Sequence, residues 1–181
     1  MMVQRFNRRH SLRFWIASTA IVVLLVARLA WNARKPAEVE SLTELVYQVR
    51  RVVDGDTLLL TNRSRIRLIG VDTPEMNSSN PSSRASAVAA KGFTEDFVRG
   101  GRISLQFDRE RVDRFGRFLA YVYVDEEMLN EQLIRRGHGR AMLSRQWKYS
   151  DSRRRVFRQA QEEAQAAGRG IWRTNRQEDS G

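Results

Sequence analysis

The sequence predicts an α+β fold that is mainly β: a five-stranded Greek-key barrel of the OB type with three helices, preceded by an N-terminal transmembrane or signal segment. Three observations lead there. A chain of 181 residues holds one ordinary domain and an appendage. Behind an apolar N-terminal stretch, β-rich runs and helical periodicities follow in the order βββ-α-ββ-α-α. Five short strands in that order suit a small closed barrel with helices packed against it.

Arg5, Arg8, Arg9 and Arg13 precede an apolar run from Phe14 to Ala27, which resumes after Arg28 with Leu29, Ala30 and Trp31. About 20 residues cross a bilayer and roughly 7 to 15 form the apolar stretch of a secretory signal, so the run fits either. No clean pair of small residues follows a polar break, which favours an uncleaved anchor. The expected organisation is a basic cytoplasmic N-terminus (1–13), the anchor or signal (14–31), a polar linker with Pro36 (32–44), a folded domain (45–175) and a disordered tail (176–181). The folded domain is then expected outside the cytoplasm, anchored in the membrane or, after cleavage, secreted.

Within the domain, Val46 to Val53, Thr57 to Leu60 and Arg65 to Val71 form a predicted three-stranded meander, joined by Asp-Gly and Asn-Arg-Ser turns. A polar loop, Asn77 to Ser83, leads into a helix on which Ala85, Ala89, Phe93 and Phe97 recur, stopped by Gly100-Gly101. Arg102 to Asp108 alternates, with Ile103, Leu105 and Phe107 on one face, and Phe118 to Val124 is apolar on both. A helix from Glu127 to Arg136 ends at Gly137. The last helix, Asp151 to Ala167, turns Val156, Phe157, Ala160 and Ala164 inward and most of its arginines outward.

Composition narrows the chemistry. The net charge of +11 and pI near 11.1 call for an anionic partner, nucleic acid or an acidic membrane surface. From residue 41 onward 25 Lys and Arg stand against 19 Asp and Glu, so the domain itself is modestly basic. The absence of cysteine excludes thiolate nucleophiles, cysteine zinc sites and disulfides. With His10 and His138 as the only histidines, paired-histidine mechanisms are excluded too, and any chemistry falls to carboxylates and arginines.

Asp54-Gly55-Asp56-Thr57, taken alone, is a hairpin turn, because Asp-Gly readily takes positive φ. Yet Asp56 opens the second strand and Asp72 closes the third. Their antiparallel pairing brings two carboxylates to one rim, where a hard cation could take oxygen ligands. Pro74 stiffens the turn that presents Glu75. Arg67 emerges on the face away from Ile66 and Leu68, in step with Ile69 and Val71, and an arginine in an apolar strand usually has a job or a buried partner. Arg117 follows the turn Asp113-Arg114-Phe115-Gly116; standing alone it would be an ordinary exposed cation.

Val53-Asp-Gly-Asp-Thr57, Arg67-Leu-Ile-Gly-Val-Asp-Thr-Pro-Glu75 and Asp113-Arg-Phe-Gly-Arg117, followed by Leu119-Ala-Tyr-Val-Tyr123, resemble the staphylococcal nuclease (thermonuclease) family in order and spacing. The helix from Met128 to Gly137 and the ending Gly170-Ile-Trp172 are similar to it as well, so the resemblance covers about three quarters of the chain. It implies a Ca2+-dependent nuclease that cuts DNA and RNA phosphodiesters and leaves 3′-phosphates. On that pattern Asp56 and Asp72 bind calcium by carboxylate and Thr73 by its backbone carbonyl. Glu75 orients or deprotonates the attacking water, and Arg67 and Arg117 hold phosphate oxygens as charge builds. Arg114 and Phe115 are further candidates for substrate contact. A monomer is expected, with no obligate protein partner. The family often has tyrosines soon after the second helix that pack on the nucleotide. Here Leu143 and Arg145 hold the ungapped positions, Trp147 and Tyr149 come a little later, and Phe115 stands where the family often has tyrosine, so stacking is expected to be rearranged.

Two other classes compete. A non-catalytic OB-type barrel that binds single-stranded nucleic acid would keep the basic surface but has no need of Asp56, Asp72, Arg67, Arg117 and Glu75 together. An anchored envelope protein could dock Arg153-Arg154-Arg155 and Arg158 on anionic lipid, although a solvated helix face accounts for that cluster as well.

Overall fold

The computed structural model describes residues 46–173. The basic N-terminus, anchor, linker and tail expected at 1–13, 14–31, 32–44 and 176–181 lie outside the described residues. Among those described, no helix is long and apolar enough to cross a membrane.

β1 (Tyr47–Asp54), β2 (Thr57–Leu60) and β3 (Arg65–Leu68) form the antiparallel meander, and their alternation buries Val52, Leu58, Leu60, Ile66 and Leu68. The third strand stops three residues short of the predicted Val71. Gly70 takes φ +76, open to glycine at little cost, and the chain turns out of the sheet into β4 (Val71–Asp72). Arg67 therefore shares no continuous strand face with Val71, as the sequence had suggested.

α1 (Pro81–Phe97) starts on Asn80, whose Oδ1 accepts from Ser82 N at 2.9 Å and Ser83 N at 3.2 Å, with Pro81 in its first turn. Its buried face is Ala87, Ala90 and Thr94, while Ala85 and Ala89 are exposed. The helix lies against the β1–β2 turn, so only small side chains fit between them. A Cβ at Gly55 would sit 2.8 Å from Ala90 Cβ, and Thr94 Oγ1 donates to Gly55 O at 2.6 Å. Gly55 is thus required by close approach; its φ is not positive.

β5 (Arg102–Gln106) pairs antiparallel with β1 and with β6 (Phe118–Val124), and β6 closes the barrel by running parallel to β3, Arg67 opposite Leu119. The five strands thus form a closed barrel in the OB-type order, its core filled by residues such as Ile66, Ile103, Phe118 and Val122. β7 (Glu127–Met128) folds back on β6 before α2 (Leu129–Arg135) begins, so this helix starts two residues later than predicted. Wholly buried Asn130 locks α2 to the barrel. Its Oδ1 accepts from Val122 N at 2.9 Å, and its Nδ2 donates to Ile69 O at 2.9 Å and Ala120 O at 3.2 Å. β8 (Arg140–Ala141) then pairs with β4, Asp72 opposite Arg140.

α3 (Asp151–Ala166) buries Phe157, Ala160 and Ala164, with Val156 only partly covered. It also buries Arg154, which corrects the solvated-face account of the arginine cluster. The Arg154 guanidinium donates to the carbonyls of Leu143, Ser144 and Trp147 at 2.9, 2.8 and 3.1 Å, and it lies 4.4 Å from the Tyr149 ring centre. Arg153 donates to Tyr123 OH at 2.7 Å and Gln106 Oε1 at 2.8 Å. Of the cluster only Arg155 and Arg158 are exposed.

Candidate active site

The rung Thr57–Arg67–Leu119, running across β2, β3 and β6, sets the site. Asp56 immediately precedes β2 and Arg117 immediately precedes β6, so with Arg67 on β3 three chemistry-bearing residues come to one end of the barrel. They line a cleft of about 710 Å³ that also takes in Asp72, Thr73, Glu75, Arg114 and Phe115. All the site residues predicted from sequence therefore meet in one place.

Asp56 is buried on the cleft floor and held from four directions. Oδ2 accepts from Thr73 N and Thr73 Oγ1, each at 3.0 Å, and faces Arg67 Nη2 at 3.3 Å; Oδ1 accepts from Thr57 Oγ1 at 3.0 Å. Arg67, with 12% of its side-chain surface exposed, is equally fixed. Its Nη1 donates to Leu68 O at 2.9 Å and Val71 O at 2.7 Å, carbonyls freed by the turn at Gly70, and its Nη2 donates to Asp72 Oδ1 at 3.0 Å.

Asp72 stands at the rim, its side chain 57% exposed. Desolvation of its carboxyl raises its pKa above the ordinary value, and repulsion from Asp56 acts the same way, against the attraction of Arg67 and Arg140. Glu75 is exposed on the loop after Pro74, and its carboxylate has no hydrogen-bond or ion-pair partner among the described residues.

Arg117 is aimed by a residue that sequence reasoning placed only in a turn. Asp113 Oδ2 accepts from Arg117 Nε at 2.8 Å, while Oδ1 accepts from the backbone N–H groups of Phe115 and Arg117 at 2.9 and 3.0 Å, around Gly116 at φ +74. Burial works against ionisation of Asp113, but these hydrogen bonds and the Arg117 charge hold its pKa below the usual carboxylate value. Phe115, 68% exposed, has the guanidinium carbons of Arg114 and Arg117 at 4.7 and 5.4 Å from its ring centre.

Trp147 lines the cleft and is 42% exposed, whereas Tyr149 is buried, its hydroxyl donating to Met142 O at 2.6 Å. Of the two late aromatic candidates, only Trp147 offers a face to a ligand. His138 lies away from this cleft. It stacks on Phe93 at 4.8 Å, and burial lowers its pKa with help from Arg136.

Among the described residues no group of three or more His, Asp or Glu side chains converges. The oxygen donors here are the carboxylate of Asp56 on the floor and that of Asp72 at the rim, which repel each other, with Thr73 hydrogen-bonded to Asp56 between them. Hard oxygens of this kind fit a divalent cation that accepts carbonyl and water ligands in irregular geometry.

Comparison with known proteins agrees with this geometry. A family model described as "Staphylococcal nuclease homologue" matches residues 65–174. A thermonuclease of Staphylococcus intermedius is 36% identical over 160 residues, covering 87% of this chain and 94% of the relative. A thermonuclease of Staphylococcus hyicus is 35% identical over 162 residues, with the same coverage of each chain, 87% and 94%. The endonuclease YncB of Bacillus subtilis is 33% identical over 128 residues, 67% of this chain and 59% of its own.

Proposed function

We propose, since this chain belongs to the staphylococcal nuclease family, that this nuclease hydrolyses phosphodiester bonds of DNA and RNA with calcium and leaves 3′-phosphates. The observation that carries the reading is the rung Thr57–Arg67–Leu119, which supports Asp56, Arg67 and Arg117 acting on one phosphate. Asp56 and Asp72 would hold the cation by carboxylate and Thr73 by its backbone carbonyl. When bound, calcium supplies charge neutralisation at the phosphate.

The remaining work falls to side chains. Arg117 is tethered at Nε by Asp113, which leaves its terminal nitrogens to pair with phosphate oxygens. Arg67 adds a second guanidinium, held by two backbone carbonyls at Nη1, whose Nη2 exchanges its contacts with Asp72 and Asp56 for the equatorial oxygens as negative charge builds on them. Glu75, exposed and unpaired on its stiffened loop, orients the attacking water and accepts its proton. Beside a cation it is a weak base, so its effect comes from position more than basicity. Water adds to phosphorus as Glu75 takes its proton, the bond to the 5′-oxygen breaks, and that oxygen takes a proton from solvent, leaving a 3′-phosphate and a 5′-hydroxyl. Phe115, Arg114 and the exposed face of Trp147 contact the nucleotide.

The enzyme works as a monomer outside the cytoplasm, with residues 14–31 as its membrane anchor; the four arginines that precede this run support that orientation. The test is digestion of single-stranded DNA and RNA with calcium, with other divalent ions and with chelator, followed by end-group analysis. Calcium-dependent cleavage to 3′-phosphates is expected. Products ending in 5′-phosphates, or cleavage indifferent to chelator, would overturn the proposal.

A further inference from the structure

A second groove, of about 1030 Å³, opens on the other side of Asp72, Thr73 and Pro74, which line both it and the catalytic cleft. It runs between the N-terminal half of α1 and the segments that follow α2 and α3. Its charge is opposite to that of the cleft. Carboxylates outnumber cations along the catalytic cleft, whereas the groove carries Arg136, Arg140, Arg169 and Arg173 against the single carboxylate of Asp72.

All four arginines are exposed. Two are held in place: the Arg140 guanidinium carbon lies 4.4 Å from the Trp172 ring centre, and Arg169 donates to Arg135 O at 3.0 Å. Arg136 and Arg173 make no side-chain hydrogen bond or ion pair among the described residues. Asn80, Ser82 and Ser86 add polar groups along the facing wall, and the lining holds no Phe, Tyr or Trp.

A cleft rich in carboxylates does not by itself draw in a polyanion; the attraction has to come from an adjoining basic surface. We propose that this groove is an extended subsite that grips the sugar-phosphate backbone of a nucleic-acid strand beyond the scissile bond, its arginines pairing with successive phosphates. The proposal rests on the nuclease reading of the cleft. Its one lining ring, His138, is stacked on Phe93, so the grip falls to the arginines on the backbone and is independent of sequence and sensitive to salt.

The test uses the full chain and its Arg136→Gln/Arg173→Gln double variant. Binding of a labelled single-stranded DNA oligonucleotide is followed by anisotropy across a salt series in chelator, where no turnover interferes. The double variant should bind about tenfold more weakly, and the slope of log K against log salt should fall by about 1.4, roughly 0.7 for each phosphate of a single strand that is no longer neutralised. Turnover of a dinucleotide diester with calcium, too short to reach the groove, should be unchanged. Equal salt slopes and affinities would overturn the proposal, as would a dinucleotide rate that falls in step with binding. Loss of binding to phosphatidylserine vesicles with DNA binding unaltered would overturn it in favour of a lipid surface. If the unsubstituted chain cleaves neither the dinucleotide nor the oligonucleotide when calcium replaces chelator, the nuclease reading fails, while the difference in salt slope still decides whether the groove holds the strand.

Discussion

Arg67 Nη2 donates to Asp72 Oδ1 at 3.0 Å, with Asp56 Oδ2 only 3.3 Å from the same nitrogen. One guanidinium thus screens two carboxylates that would otherwise repel each other across the rim. Arg67→Ala should lower kcat on single-stranded DNA by about 10²- to 10³-fold, the range seen when one preorganised transition-state donor is removed. Arg67→Lys keeps the charge but loses the planar fork, so it should recover only a small part of that loss. Steady-state kinetics on the three proteins, with circular dichroism to check the fold, decides the point.

Asp72 is predicted to be a site that costs stability. Its pKa is raised in the folded protein, so the folded state binds this proton more tightly than the unfolded one, whose value is near 3.8. The cost is absent below that pKa and appears as the pH rises through the folded value. In chelator at pH 7, Asp72→Asn should melt at or above the temperature of the unsubstituted protein. The stabilisation that calcium gives the unsubstituted protein should shrink in the variant. A lower melting temperature in chelator would contradict this role for Asp72.

Asp113 should act through Arg117. Arg117→Ala is expected to reduce turnover by about 10²- to 10³-fold. Asp113→Asn retains an oxygen for the two backbone N–H groups but loses the charge facing Nε, and it should reduce turnover less, by about tenfold. The lowered pKa of Asp113 also has a signature in stability: its contribution is complete above the unfolded value of 3.8 and is lost as pH falls through the folded one. Acid-induced unfolding of Asp113→Asn should therefore show a shallower dependence on pH below about 4.

Arg154→Met should cost about 3 kcal/mol in urea denaturation, because it removes a buried guanidinium that ties three carbonyls of the segment around Trp147 to α3. Arg155→Ala, one residue away and exposed, should cost less than about 0.5 kcal/mol. Equal effects would return both residues to a solvated helix face.

The catalytic rim was legible in the sequence because antiparallel pairing of the second and third strands across the Asn62-Arg63-Ser64 turn brings the start of one to the end of the other. Asp56 and Asp72 could be brought together on that basis, even though the turn at Gly70 ends the third strand early, whereas Arg67 and Arg117 joined them only through the family resemblance. Periodicity picked the wrong alanines of α1: Phe93 and Phe97 pack against the core as expected, but Ala85 and Ala89 are exposed, and the close approach of the β1–β2 turn at Gly55 falls on Ala90 and Thr94 instead. Asn130 and Arg154 were out of reach for a different reason. Each is a polar residue buried against backbone groups of a neighbouring element rather than of its own helix, and nothing in the local pattern identifies those partners. The part played by Asp113 in holding Arg117 lay within a quoted motif, and an aspartate four residues before an arginine across a glycine turn was the available signal.

Hydrolysis that depends on Arg67 and a bound cation can be checked in one step, by incubating single-stranded DNA with the full chain, in calcium and in chelator, beside its Arg67→Ala variant. Cleavage should need calcium and be nearly abolished in Arg67→Ala while the fold is kept. Tight binding without cleavage across several divalent ions, or equal cleavage by the variant, would contradict this mechanism.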